Sequence, residues 1–137
     1  MKLPPYADVL KAEVERDADG APILVMPFHD DVVGRPGFLQ GGAISGLLEV
    51  AAIAALQYAL EGEGDNEGGD EGGGAARIKP INVTIDFMRG GRDKTTYASG
   101  TITRLGNRVA NVVATAWQDD PAKPISAARM NYLIVRD

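Results

Sequence analysis

Two periodicities divide the chain. From Ala43 to Leu56 the sequence reads Ala-Ile-Ser-Gly-Leu-Leu-Glu-Val-Ala-Ala-Ile-Ala-Ala-Leu, almost without a polar break. A run this long and this apolar predicts a helix from about Gly41 to about Leu60, buried over most of its surface, with Gly62 as its stop. Beyond residue 76 the period drops to two. Alternation predicts strands near Arg77 to Arg89, Thr95 to Leu105, Arg108 to Gln118 and Ile125 to Val135. Leu105-Gly106-Asn107 and Asp119-Asp120-Pro121 mark turns between them.

Ahead of the helix, residues 4 to 12 suit a short helix carrying Tyr6, Val9 and Leu10. Lys11 to Asp17 and Ile23 to Phe28 suit a hairpin closed by Asp17-Ala18-Asp19-Gly20. Asp30 to Leu39, with Gly34, Pro36 and Gly37, predicts a loop. The order is therefore a hairpin, one long helix, then four strands in a meander. Short links join antiparallel strands, and an antiparallel sheet wrapped around a single helix buries that helix. The expected class is α+β, with all 137 residues in a single domain.

Charge changes this picture little. The net charge of -5 comes from residues 61 to 74, a glycine-rich stretch that holds six of the 19 acidic residues and no basic one. It predicts a flexible acidic loop. The rest is near neutral, which argues against nucleic acid as a partner. There is no cysteine and one histidine, His29, so thiolate chemistry and a His-rich metal site are excluded within one chain. No charge-free apolar run of about 18 residues and no signal-peptide pattern occurs, so the expected location is cytoplasmic, without a membrane span.

Candidate chemistry gathers on the helix. Glu49 is a carboxylate in apolar company, and a buried carboxylate is a functional-site candidate because its charged form is costly there. Ser45 lies one turn earlier and Gln57 two turns later, forming a narrow polar stripe. Gly41 and Gly42 open the helix, where unpaired N–H groups and a partial positive charge suit a developing oxyanion. Arg104, Asn107 and Arg108 surround one tight turn, and Arg89 and Arg92 lie near another. Guanidinium and turn N–H groups suit phosphates.

The stretch Gly37-Phe38-Leu39-Gln40-Gly41-Gly42-Ala43-Ile44-Ser45-Gly46-Leu47-Leu48-Glu49 resembles the signature of hotdog-fold acyl-CoA thioesterases of the phenylacetic-acid-pathway (PaaI-like) type. That signature is His-Gly-Gly followed by an acidic residue nine positions after the His. Gln40 stands in the His place and Glu49 in the acidic place. Val83 to Arg89, Thr103 to Val109 and Ile125 to Tyr132 resemble the family's first long strand, its Gly-Arg turn near the CoA and its closing strand. The resemblance implies hydrolysis of an acyl-CoA, or another pantetheine thioester, to acid and thiol. It implies an oxyanion hole at Gly41 and Gly42, Glu49 as general base or nucleophile, and Gln40 orienting the carbonyl or the water. Arg104, Asn107 and Arg108 would hold CoA phosphates. No cofactor is implied beyond the CoA of the substrate. Sheets paired edge to edge would give a homodimer with clefts at its interface, and dimers would pair again.

The chain departs from the family in three places: Gln40 replaces His, Gly34 replaces an upstream amide, and Pro80 falls where some members carry a hydroxyl. Two alternatives stay open. A hotdog dehydratase or hydratase would pair a His with the acid, but the position 14 before Glu49 is Arg35 and His29 is 20 before it. A non-catalytic acyl-CoA binder fits the missing His and amide, but leaves the carboxylate unexplained.

Overall fold

The computed structural model describes residues 1–64 and 77–136. Helix α1 (Tyr6–Leu10) leads into the hairpin β1 (Glu13–Arg16) and β2 (Pro22–Met26). A single 3-10 turn at Asp30–Val32 interrupts the expected loop, and helix α2 runs Gly41–Gly64. Strands β3 (Arg77–Phe87), β4 (Thr96–Leu105), β5 (Val109–Trp117) and β6 (Ser126–Val135) follow. Residues 61–64, expected in the acidic loop, continue the helix. The remainder of that loop, 65–74, lies outside the described residues.

All six strands form one antiparallel sheet in the order β1-β2-β4-β5-β6-β3. The expected four-strand meander is corrected here. Strands β4, β5 and β6 do meander, but β3 pairs with β6 from Arg77↔Val135 to Phe87↔Ser126 and forms an edge. The segment after β3 is no hairpin turn. Met88 and Arg89 N–H groups donate to the Ile125 carbonyl at 2.8 and 3.1 Å, and Leu39 N–H donates to the Gly91 carbonyl at 2.9 Å. These bonds carry the chain across the end of the sheet to β4, beside β2.

Alternation decides which face meets the helix. Ala110, Val112, Ala114 and Ala116 of β5 and Ser126, Ala128, Met130, Tyr132 and Ile134 of β6 are buried under α2. Leu47, Leu48, Val50 and Leu56 fill the core from the helix side, each worth roughly 1.5–3 kcal/mol when fully buried. Between them runs a seam of small residues. A Cβ on Gly100 would come 2.9 Å from Ala55 Cβ and 3.2 Å from the Ala51 carbonyl oxygen. Helix and sheet thus approach almost backbone to backbone along β4. By length and composition Gly41–Gly62 would pass for a membrane span, but 56% of its most apolar window is buried within the fold.

Strand β3, like the short β1, has no buried residue. Ile81, Val83 and Phe87 are 53%, 51% and 56% exposed, and Met88 just beyond is 50% exposed. A bulge between Pro80 and Asn82 shifts its register against β6. An apolar edge strand of 11 residues is left open on one side.

Candidate active site

The loop before α2 sets the helix start. Gln40 N–H donates to the Val32 carbonyl at 2.8 Å, and isolated bridges join Val33 to Leu39 and Phe38 to Arg92. Gln40 then caps α2. Its carbonyl accepts from Ala43 and Ile44 N–H at 3.0 and 3.2 Å, and its Oε1 accepts from Ala43 N–H at 3.1 Å. A Cβ on Gly42 would come 2.6 Å from that Oε1, so the amide lies directly over Gly42. The N–H groups of Gly41 and Gly42 have no acceptor among the described residues. This is the arrangement of an anion site: open donors, the positive end of a helix, and an amide beside them.

Glu49 does not sit where its neighbours predict. Leu47, Leu48 and Val50 are buried, yet Glu49 is exposed. The expected burial fails because the sheet does not close around α2. Its gap lies between α1 and β3, and the helical rotation of about 100° per residue aims position 49 into it. The gap is a cleft of about 670 Å3 lined by Tyr6, Gly42, Gly46, Glu49, Pro80 to Val83 and Tyr132, among others.

The other members of the polar stripe behave differently. Ser45 also lines the cleft, but its hydroxyl donates to the Gly41 carbonyl at 2.9 Å and so is committed to the helix. Gln57 is half-buried, with an Oε1 that has no hydrogen-bond partner among the described residues.

Tyr132 is a site residue that the sequence pattern does not single out. It is fully buried, and its hydroxyl donates to Met130 Sδ at 3.3 Å. Burial first, and the charge of Glu49 second, push the phenol far above its ordinary range, so it stays protonated. The available signal was parity. Tyr132 shares the face of Ser126, Ala128 and Met130, which is the face α2 covers.

The predicted phosphate residues lie elsewhere. Arg104 and Arg108 are exposed at the β4–β5 turn, where the Asn107 carbonyl accepts from Arg136 Nε at 3.3 Å and the Arg108 carbonyl from Ile134 N–H at 2.7 Å. These bonds fix the turn beside the last residues of β6, and so beside the Arg77 end of β3. The helix start is at the opposite end, where a Cβ on Gly41 would contact the Phe87 ring at 3.8 Å. About ten strand residues, roughly 33 Å, separate the two. Within one chain, Arg104, Asn107 and Arg108 are not brought to Gly41 and Gly42.

A second group of cations does stand by the helix start. Arg35 and Arg92 both lie against the Phe38 ring, with Cζ at 4.2 and 4.5 Å from its centroid. Arg89 Nε donates to the Pro124 carbonyl at 3.2 Å. Arg35, Phe38, Phe87 and Arg89 line a shallower hollow of about 430 Å3. Among the described residues no three His, Asp or Glu side chains are grouped to hold a metal ion.

An antiparallel sheet wrapped on a central helix, with an open helix N-terminus and an acidic residue two turns on, defines the hotdog class of thioester-handling proteins. Residues 36–125 match the family model described as Thioesterase superfamily, and the chain belongs to that superfamily. Solved structures agree. A Chromobacterium violaceum protein is 30% identical over 94% of this chain and 82% of its own, with a TM-score of 0.70. A Ralstonia eutropha protein described as phenylacetic acid degradation-related is 20% identical over 97% of this chain and 92% of its own, with a TM-score of 0.71. A Bacillus halodurans protein solved with CoA is 15% identical over 98% of this chain and 80% of its own, with a TM-score of 0.76. No curated protein sequence matches. The hotdog fold and the thioesterase family expected from the helix motif are therefore those of this chain.

Proposed function

We propose that the protein hydrolyses an acyl-CoA thioester to a free acid and CoA in a cleft shared by two copies of the chain. The thioester carbonyl oxygen accepts hydrogen bonds from Gly41 and Gly42 N–H. Gln40 orients the carbonyl or the attacking water. Glu49 takes the proton from that water, or attacks the carbonyl itself to form an anhydride that water then opens. Expulsion of the thiolate and its protonation complete the turnover.

The observation that carries this reading is the pair of N–H groups, without an acceptor among the described residues, at the head of a helix whose Glu49 opens into the same side of the fold. Their separation argues for the second copy. Eight residues place Glu49 about 12 Å along the axis from Gly41. An oxyanion contact of about 3 Å and a near-attack contact of about 3.5 Å do not span that distance on one carbonyl. The exposed apolar edge of β3 suits pairing with a copy of itself. Antiparallel pairing about a two-fold axis lays the Arg77 end of one β3 beside the Phe87 end of the other. It would thereby bring Glu49 of one copy, and the turn carrying Arg104, Asn107 and Arg108, toward the helix start of its mate.

The CoA found with the Bacillus halodurans relative supports a CoA thioester as substrate. The reading carries with it a cytoplasmic homodimer, paired again into a dimer of dimers as the family resemblance implies. Its test is free-thiol release from a panel of acyl-CoAs. Glu49→Gln is expected to lower kcat by about 10²–10⁴-fold with folding intact. An unchanged rate would remove Glu49 from the mechanism.

A further inference from the structure

We infer that Tyr6 is the wall that sets which acyl groups the Glu49 cleft accepts, favouring flat or short ones. The inference rests on the hydrolytic reading above and deepens it. Tyr6 opens α1, a helix of only five residues held down by the buried side chains of Ala7 and Leu10. Its far end is tied in place as well, because His29 Nε2 lies 2.9 Å from the Leu10 carbonyl oxygen. Tyr6 itself faces outward, 48% exposed, and lines the cleft.

What fixes its ring is an absence on α2. A Cβ on Gly46 would come 2.5 Å from Tyr6 Cε2. The ring edge therefore rests on a bare Cα in the second turn of α2. Glycine is disfavoured there, and every residue from Ala43 to Leu56 other than Gly46 carries a Cβ. No side chain at position 46 would leave the ring where it is.

Gly46 is three residues before Glu49, so the two share a face. Helical side chains lean toward the N-terminus, which carries the Glu49 side chain back over the turn where the Tyr6 ring sits. Across the cleft stand Ile81 and Val83 of β3, both exposed and apolar. An acyl group presented near Glu49 enters a slot with an aromatic ring on one side and branched aliphatic side chains on the other. A ring face rewards a planar group, and its edge stops a longer chain.

The experiment measures kcat/KM for benzoyl-, butyryl- and dodecanoyl-CoA with the full chain and three variants. Tyr6→Ala is expected to raise the dodecanoyl-to-benzoyl ratio by about tenfold or more, the scale on which apolar pockets discriminate. Gly46→Ala should shift the ratio in the same direction, because its methyl evicts the ring. Tyr6→Phe should keep the wild-type ratio, since the ring and not the hydroxyl forms the wall. An unchanged ratio in Tyr6→Ala, or the same shift in Tyr6→Phe, overturns the inference. Should no acyl-CoA be turned over, hydrolysis itself fails, and equilibrium binding of the same three CoAs reads the ratio separately. Equal relative affinities in wild type and Tyr6→Ala would then overturn the wall as well.

Discussion

A shared cleft makes a quantitative demand that one experiment tests. Two variants are made, each crippled in a different half of the proposed centre. Gly41→Pro removes the N–H of the first helical residue while keeping the backbone angle a helix start requires. Loss of one oxyanion donor costs about 10²–10³ in kcat, or 2.7–4 kcal/mol. Glu49→Gln removes the base, at about 10²–10⁴. Each variant alone should retain at most about 1% of wild-type turnover. With about 12 Å between the two groups, the proposed cleft pairs the helix start of one copy with the Glu49 of the other. A mixed dimer then holds one cleft with both defects and one with neither. Equal mixing with free subunit exchange makes half of the dimers mixed, so about a quarter of all clefts are intact. The assay is thiol release before and after exchange in mild denaturant. Recovery to about a quarter of the wild-type rate is expected. A mixture that stays at the level of its parents would refute the two-copy cleft, because defects within one chain cannot complement.

Three other outcomes follow from the geometry. Val83→Lys puts a charge at the middle of the exposed β3 edge. It should shift the protein toward monomer in light scattering and abolish turnover, while far-UV circular dichroism is unchanged. Arg104→Ala with Arg108→Ala should raise KM for an acyl-CoA but not for the same acyl group on unphosphorylated pantetheine. If instead Arg35→Ala with Arg92→Ala does so, the phosphates lie against the Phe38 cluster. Tyr132 gives a pH signature. Its folded-state pKa is raised above the unfolded value of about 10, so its contribution to stability is complete below that pH and is lost as pH rises beyond it. The melting temperature should fall in that window, and fall less steeply in Tyr132→Phe.

Element boundaries were legible because one-sided burial writes them directly. Strand β5 alternates Ala110, Val112, Ala114 and Ala116 inward against partly exposed neighbours, and its predicted limits differ from the observed ones by a single residue at each end. Strand order was not legible in the same way. Alternation states which face of β3 is apolar but not which strand lies beside it. Met88 to Gly91 resembles a turn until the bonds of Met88 and Arg89 to Ile125, and of Gly91 to Leu39, are seen. The start of α2 at Gly41 and the place of Glu49 on that helix were legible from local pattern. The exposure of Glu49 was missed because a count of apolar residues implies cover on every side, whereas the sheet leaves one gap. Tyr6 was missed for a different reason. Its meaning lies in Gly46, forty residues away, and nothing local to either position records the contact.

The seam between Gly100 and the alanines of α2 has a consequence for how this fold diversifies. The distance from helix to sheet is set there by methyl groups and bare backbone, so it works as a spacer of fixed gauge. Any enlargement at Ala51, Ala55, Gly100 or Ala114 lifts the helix, and with it both Gly41 and Glu49, away from β3. Core overpacking of this kind typically costs about 1–3 kcal/mol, and here it would also displace the two groups assigned to the proposed reaction. A residue that lines the cleft away from both the seam and the β3 edge carries no such burden: Tyr6 can change size while the gauge holds. On the proposed reading, substrate range and catalytic geometry are governed by separate positions, so the first can vary while the second is held.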